Sequence, residues 1–266
     1  MTSLPTSKKR SARLAALLAL LNERGHLPLA VLAEELRTSP ATIRRDVAHL
    51  AEQGLLERTH GGAGPSLGGH ELPVRLRGGR NQAAKRLIAA KVATLIPPGR
   101  HAIGLTGGTT TAEVLRALHR QDLTIITNSI SIGLEAAEQG QARVLIAGGV
   151  LRASSLELVG SLAEQTFKHV NVGTAIVGVD GVSLSGGLTT HDEIEAKTNG
   201  AMMERSQRVI IAVDSSKLGV VTLAKMGDLA SVDVLVTDSG APKETLQAIR
   251  ALGVEVHVVS LPQDAL

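Results

Sequence analysis

The sequence predicts an α/β protein: an N-terminal winged helix-turn-helix followed by a doubly wound, mainly parallel α/β domain. Three observations lead there. The first 53 residues hold three stretches with apolar residues at helical spacing, and "GLLERTHGG" follows them. From residue 102 onward, short apolar runs alternate with helical stretches. Between the two patterns lies the Gly/Pro/Ser-rich segment "GGAGPSLGGH" (61–70). The expected organisation is 8–63 for the winged unit, with the helix-turn-helix at about 28–53 and the wing at 54–63. A linker is expected at 64–80 and the second domain at 81–266.

The first helix is expected over 8–24. Leu14, Leu17, Leu18 and Leu21 fall at i, i+3, i+4 and i+7 and give one apolar stripe, which Gly25 ends. Pro28 can open a second helix carrying Leu29, Leu32, Ala33 and Leu36 at the same spacing. Ser39 is a good N-cap and Pro40 suits the first helical position, so a third helix starts there. It runs to about Gln53 and stops at Gly54. Three short helices with tight turns make a helix-turn-helix unit.

On the third helix Ile43, Val47 and Leu50 share one face. Ala41, Arg45, Ala48 and Glu52 lie roughly opposite, with His49 close by, and Thr42 and Arg44 flank the stripe. The front half therefore presents small residues and a basic fork, which is what base edges in a major groove require of a reading helix. After it, "GLLERTHGG" reads as a tight two-stranded wing. A solvated charged helix face is the usual fate of such arginines. The charge distribution favours a polyanion instead. Residues 1–77 carry 11 Lys/Arg against 7 Asp/Glu, while 78–266 carry 17 against 18. The candidate contacts to double-stranded DNA are Ser39, Thr42, Arg44, Arg45 and His49, with Arg58, His60 and Gly61 of the wing.

In the second domain seven runs read as strands: "AIGLT" (102–106), "LTIIT" (123–127), "RVLIA" (143–147), "TAIVGV" (174–179), "RVIIAV" (208–213), "DVLVT" (233–237) and "VEVHVV" (254–259). They lack a period of two, so they are expected to be buried on both faces, as in a parallel sheet with right-handed crossovers.

Composition excludes several classes. One Phe and no Trp or Tyr argue against single-stranded nucleic acid, which binds by aromatic stacking. Cys is absent, so there is no disulfide framework and no thiolate chemistry. "LAALLALL" (14–21) is too short to span a membrane and no signal peptide is convincing, so the expected location is cytoplasmic. The nine His are scattered without ligand spacing, so no metal site is expected. No Walker A or GxGxxG pattern occurs, and no cofactor is implied.

Ligands of open α/β sheets bind beyond the carboxyl ends of the strands. "GLTGGTTT" (104–111) joins a strand to a helix there. Its glycines let backbone approach a ligand, its threonines offer hydroxyls, and the helix start offers free N–H groups to an anion. Other strand ends supply "TNS" (127–129), "AGG" (147–149), "VDG" (179–181) and "DSSK" (214–217), and the loop "GGLTTHDEIEAK" (186–197) adds Glu195 and Lys197. "SLELVGSLAEQTF" (155–167) reads as packing. Such a site suits a phosphorylated sugar.

"SPATIRRDVAHLAEQGLLERTHGGA" resembles the N-terminal signature of the DeoR family of bacterial transcription regulators. The resemblance continues through Glu71, Leu72, Pro73, Arg77, Asn81 and Lys85, and then through "GGTTT", "TNS", "AGG", "GVDG", "GLTT", Glu195 and "DSSK". It implies a winged helix-turn-helix plus a sensor domain resembling ribose-5-phosphate isomerase, with sugar phosphates as effectors and oligomers as the working state. Three departures stand out. Thr106 replaces an Asp common in the family, Arg37 stands where a turn glycine is common and reads as neutral, and glycines 78–79 are unusual. The expectation is a repressor of a carbohydrate-metabolism operon, acting as a homo-oligomer without a membrane. Lys85, Thr106, Gly107, Gly108, Thr109, Thr110, Thr111, Asn128, Asp180, Glu195, Lys197 and Lys217 are expected to line the effector site, with no catalytic residue. The rival is a sugar-phosphate isomerase using Asp180 or Glu195 as base. A basic helical module has no use in such an enzyme.

Overall fold

The computed structural model describes residues 8–66, 71–77, 81–140 and 143–261. The chain forms two compact units, Met1–Arg80 and Asn81–Leu266.

The first unit holds α1 (Lys8–Arg24), β1 (Leu27–Pro28), α2 (Leu29–Glu35), α3 (Pro40–Glu52), β2 (Leu56–Thr59), β3 (Gly62–Pro65) and α4 (Val74–Arg77). The leucine stripe of α1 packs against Leu32, Ala33, Ile43, Val47 and Leu50. Ser39 caps α3 as its hydroxyl accepts the Thr42 N–H at 3.2 Å. Pro28 does not open α2: it is extended, and its strand pairs antiparallel with β3. That third strand explains Gly62, where a Cβ would stand 2.5 Å from the Leu27 carbonyl oxygen. The wing therefore runs to Pro65, and Gly64 and Pro65 are sheet rather than linker. Leu72 and Leu76 also pack into the first core. Of the expected linker, residues 67–70 and 78–80, with glycines 78–79, lie outside the described residues.

Arg37 is not neutral. The Arg37 N–H donates to Glu34 O and the Thr38 N–H to Ala33 O, a paired closure of α2 that needs a left-handed residue at Arg37. Its φ is 47°, a region favouring glycine.

The second unit runs α5 (Gln82–Thr94), β4 (His101–Leu105), α6 (Thr109–Ala117), β5 (Leu123–Thr127), α7 (Ile130–Gln139), β6 (Arg143–Ile146), β7 (Val150–Arg152), β8 (Glu157–Val159) and α8 (Ser161–Lys168). It continues with β9 (Thr174–Val177), β10 (Gly181–Ser183), β11 (Gly187–Thr190), α9 (Glu193–Glu204), β12 (Val209–Ala212), β13 (Ala224–Gly227), β14 (Val234–Asp238), α10 (Lys243–Ala251) and β15 (Glu255–Val259). Each of the seven apolar runs is one strand of a parallel sheet ordered β15-β14-β12-β9-β4-β5-β6. Alternate residues feed two cores. Ile176 and Ile210 join residues of α5, α6 and α7, whereas Val177 and Ile211 join residues of α8, α9 and α10. The inner strands are buried on both faces, which is why their runs show no alternation; the edge strands β6 and β15 contain no fully buried residue, against the expectation.

The order reverses at β4. The chain first builds outward through β5 and β6, then returns to the other edge of β4 with β9. A hairpin β7–β8 and an antiparallel sheet β10-β11-β13 are added beside these strands. The stretch 186–197 is thus not a loop but β11 and the start of α9. No helix among the described residues is long and apolar enough to cross a membrane.

Candidate functional site

The first unit exposes its basic face on α3. Ile43, Val47 and Leu50 are buried, and Arg44 and Arg45 are exposed. Asp46, next in the chain, turns inward and is 2% exposed. It accepts the Arg13 Nε–H at 2.6 Å and lies 3.6 Å from Arg10 Nε, tying α3 to α1. Arg45 Nε donates to Ala41 O at 3.3 Å, so the fork lies back along its own helix. His49 is half-buried and contacts Gln53 at 3.2 Å. Ser39 and Thr42 share a hydroxyl contact of 2.9 Å at the helix start. On the wing Arg58, His60 and Gly61 are exposed, and Gly61 makes the turn at φ 84°.

The second unit places "TGG" at the reversal of strand order, between the carboxyl ends of β4 and β9. Ligand clefts of doubly wound sheets form there. The Gly178 N–H donates to Thr106 Oγ1 at 3.0 Å, joining the two strand ends. Gly108 turns the chain into α6 at φ 126°, and the first N–H groups of α6 have no partner within the helix. Three of the threonines are enclosed. Thr106 and Thr111 are fully buried, and Thr111 Oγ1 donates to Gly108 O at 3.1 Å. Thr110 is buried as well, and Thr109 is half-buried at the first turn of α6.

The open face of Gly107 is already filled. Glu157 of β8 lies over it, its Oε1 accepts the Gly107 N–H, and a Cβ on Gly107 would stand 2.5 Å from that oxygen. Asn199 Nδ2 donates to Glu157 Oε2 at 3.2 Å, and Asn128 Nδ2 donates to Asn199 Oδ1 at 3.0 Å. Asn128 Oδ1 is buried with no partner. Burial, and then the charge of Glu195, raise the Glu157 carboxyl well above its ordinary range.

Beyond Glu195 the network continues. The Thr190 hydroxyl touches Glu195 Oε1 at 2.7 Å and Asp180 Oδ2 at 3.2 Å. Lys217 Nζ donates to Asp180 Oδ1 at 3.2 Å, and Arg152 donates to Glu195 Oε2 at 3.0 Å. Arg152 also pairs with Asp192, the N-cap of α9, at 3.2 Å. The chain of contacts from Gly107 to Lys217 thus joins Asn128, Asp180, Glu195 and Lys217 as one site. Lys85 is buried on α5, which packs on α6.

Lys197 does not belong there. Two residues advance a helix by roughly 200°, so if Glu195 faces inward Lys197 faces out. Its side chain is 74% exposed and pairs with Glu164 at 3.2 Å. Sequence reasoning also passed over Glu157, Arg152 and Asn199. A signal existed for the first: in "SLELV" a lone acid shares its alternate positions with Ser155 and Val159, and all three are buried.

Residues 13–65 match the DeoR-like helix-turn-helix domain and residues 80–239 the DeoR C terminal sensor domain. A putative aga operon transcriptional repressor of Escherichia coli O157:H7 is 34% identical over 94% of this chain and 94% of its own length. The glycerol-3-phosphate regulon repressor of Escherichia coli K12 is 31% identical over 91% and 96%. A ribose 5-phosphate isomerase from Plasmodium falciparum aligns over 52% of each chain at 22% identity, with a TM-score of 0.38. With both domains matched in order and relatives aligned nearly end to end, the chain belongs to the DeoR family.

Proposed function

We propose that the chain is a DNA-binding transcriptional repressor of a carbohydrate-metabolism operon, whose affinity for operator DNA is set by a phosphorylated sugar. The observation that carries this reading is the front of α3. Arg44 and Arg45 stand exposed on a helix whose opposite face is locked by Ile43, Val47 and Leu50 and whose Asp46 is anchored to α1. A rigid helix with exposed guanidinium groups near its start suits guanine edges in a major groove, and the wing adds Arg58 and His60 for the backbone. Relatives named as repressors of the aga operon and of the glycerol-3-phosphate regulon support the regulatory role. One winged unit offers few contacts, so a homo-oligomer on paired half-sites is part of the proposal.

The effector is assigned to the reversal point, where the first turn of α6 meets an anion and Asp180, Glu195 and Asn128 meet hydroxyls. A binding role suits these acids better than catalysis. Asp180 is held by Lys217 and Glu195 by Arg152, so neither stands ready as a free base.

The test selects bound fragments from random double-stranded DNA and titrates them in gel shifts. Arg45→Ala is expected to weaken the selected site by about 1–3 kcal/mol while circular dichroism stays unchanged. Undiminished specific binding by a folded Arg45→Ala protein refutes this role for α3.

A further inference from the structure

We propose that Glu157 is an internal occupant of the anion site, and that an anionic effector enters by displacing its carboxyl from the Gly107 N–H and loosening the β7–β8 hairpin. This deepens, and rests on, the placement of the effector at the reversal point.

Three observations carry it. First, Glu157 holds the donor that a bound anion at the α6 start would take, and it fills the space that the missing Cβ of Gly107 leaves. A phosphate oxygen and this carboxyl oxygen cannot both accept the Gly107 N–H, so one must leave for the other to bind. Second, Asn128 Oδ1 is buried in the same chain of contacts with no partner, an acceptor placed for a ligand O–H. Third, Glu157 is built into the hairpin. Its strand pairs with β7 at Arg152, and Arg152 bridges to Glu195 and Asp192. Leu156, just before it, is held at φ 58°, where a bulky side chain is strained. Release of the Glu157 carboxyl therefore removes one of the bonds that hold a hairpin whose turn is already strained. Val150 and Leu151 of β7 are 73% and 48% exposed, so a movement of the hairpin reaches the protein surface.

The proposal is tested on the full chain with inorganic phosphate as the probe, by calorimetry on wild type, Glu157→Ala, Glu157→Gln and Gly108→Asp. Removing the competitor is expected to tighten phosphate binding by on the order of ten-fold in Glu157→Ala. Glu157→Gln keeps an acceptor for the Gly107 N–H but exchanges the carboxyl for a weaker competitor, so it falls between and reports even if the Ala variant does not fold. In wild type, phosphate is expected to speed amide exchange across 150–159, whereas in Glu157→Ala exchange there is fast without phosphate. Equal affinities in wild type and both Glu157 variants, with Gly108→Asp abolishing binding, overturn the displacement and leave the anion site intact. Weaker binding in Glu157→Ala also overturns it and makes Glu157 a ligand contact. Phosphate binding that survives Gly108→Asp overturns the site itself and this inference with it.

Discussion

Asp46→Ala tests how the reading helix is held. The carboxylate is 2% exposed and accepts Arg13 Nε at 2.6 Å, while Arg10 Nε sits at 3.6 Å. The two arginines contribute unequally. Arg13 is 23% exposed on its side chain and makes a short charge-assisted bond, worth about 1.5–3 kcal/mol. Arg10 is 40% exposed and beyond good hydrogen-bond distance, so its share is about 0–0.5 kcal/mol. Asp46→Ala should therefore cost about 2 kcal/mol, nearly all through Arg13. The effect should stay in the first unit, to which both Arg13 and Arg10 belong. Native-state hydrogen exchange of the α3 amides in the full chain reads that local free energy directly. A double-mutant cycle with Arg13→Ala should give a coupling of about 1–2 kcal/mol, and one with Arg10→Ala less than about 0.5. An Arg13 coupling near zero, or an Arg10 coupling larger than Arg13's, refutes the argument that Asp46 pins α3 to α1.

Three other outcomes are expected. Gly108→Asp should abolish binding of a sugar phosphate and the effector response in gel shifts, leaving operator affinity intact, because it puts a charged side chain at φ 126° beside Thr111; Lys197→Ala should change neither. Arg37→Gly should raise the midpoint of the first unit's unfolding by the equivalent of about 1 kcal/mol, since a left-handed non-glycine residue costs about 1–2 kcal/mol and glycine loses part of that gain to chain entropy; a lower midpoint would show that the Arg37 side chain stabilises the turn. Glu157 holds its proton in the folded protein at pH values where the unfolded chain has lost it, because burial and Glu195 raise it above 4.5. Stability is therefore expected to fall as pH rises above that value, until the folded-state pKa is passed, and thermal melts of Glu157→Gln should lose this slope.

The parallel sheet is legible because its inner strands are buried on both faces and short, mostly apolar runs mark them, while the edge strands β6 and β15 are more exposed. The three helices of the first unit were legible from stripes and from Ser39–Pro40, whose cap forms as read. What escaped depends on contacts far apart in sequence. Pro28 is recruited to the wing by β3, and Gly64 and Pro65 look like linker until that pairing is known. β10 and β11 are too short and glycine-rich to carry a pattern. At the site, "GGTTT" announced a tight strand-to-helix turn, but nothing local says that Gly107 makes room for Glu157, 50 residues on. Lys197 was misplaced because two residues on a helix face opposite ways, a difference invisible while the segment was read as a loop.

The reversal of strand order at β4 also sets a schedule for folding. Strands β4, β5 and β6 can pair as they are made, each with its sequence neighbour. The other edge of β4 waits for β9, and the Thr106–Gly178 bond that seals the two strand ends spans 72 residues. Until then β4 presents an open, apolar rim to solvent, the kind of surface that recruits stray strands. Closing it is a non-local step and therefore a slow one. The proposed effector site is completed by that same step, so a sugar phosphate that binds there should act as a folding aid during synthesis, favouring the closed sheet over association of unfinished chains.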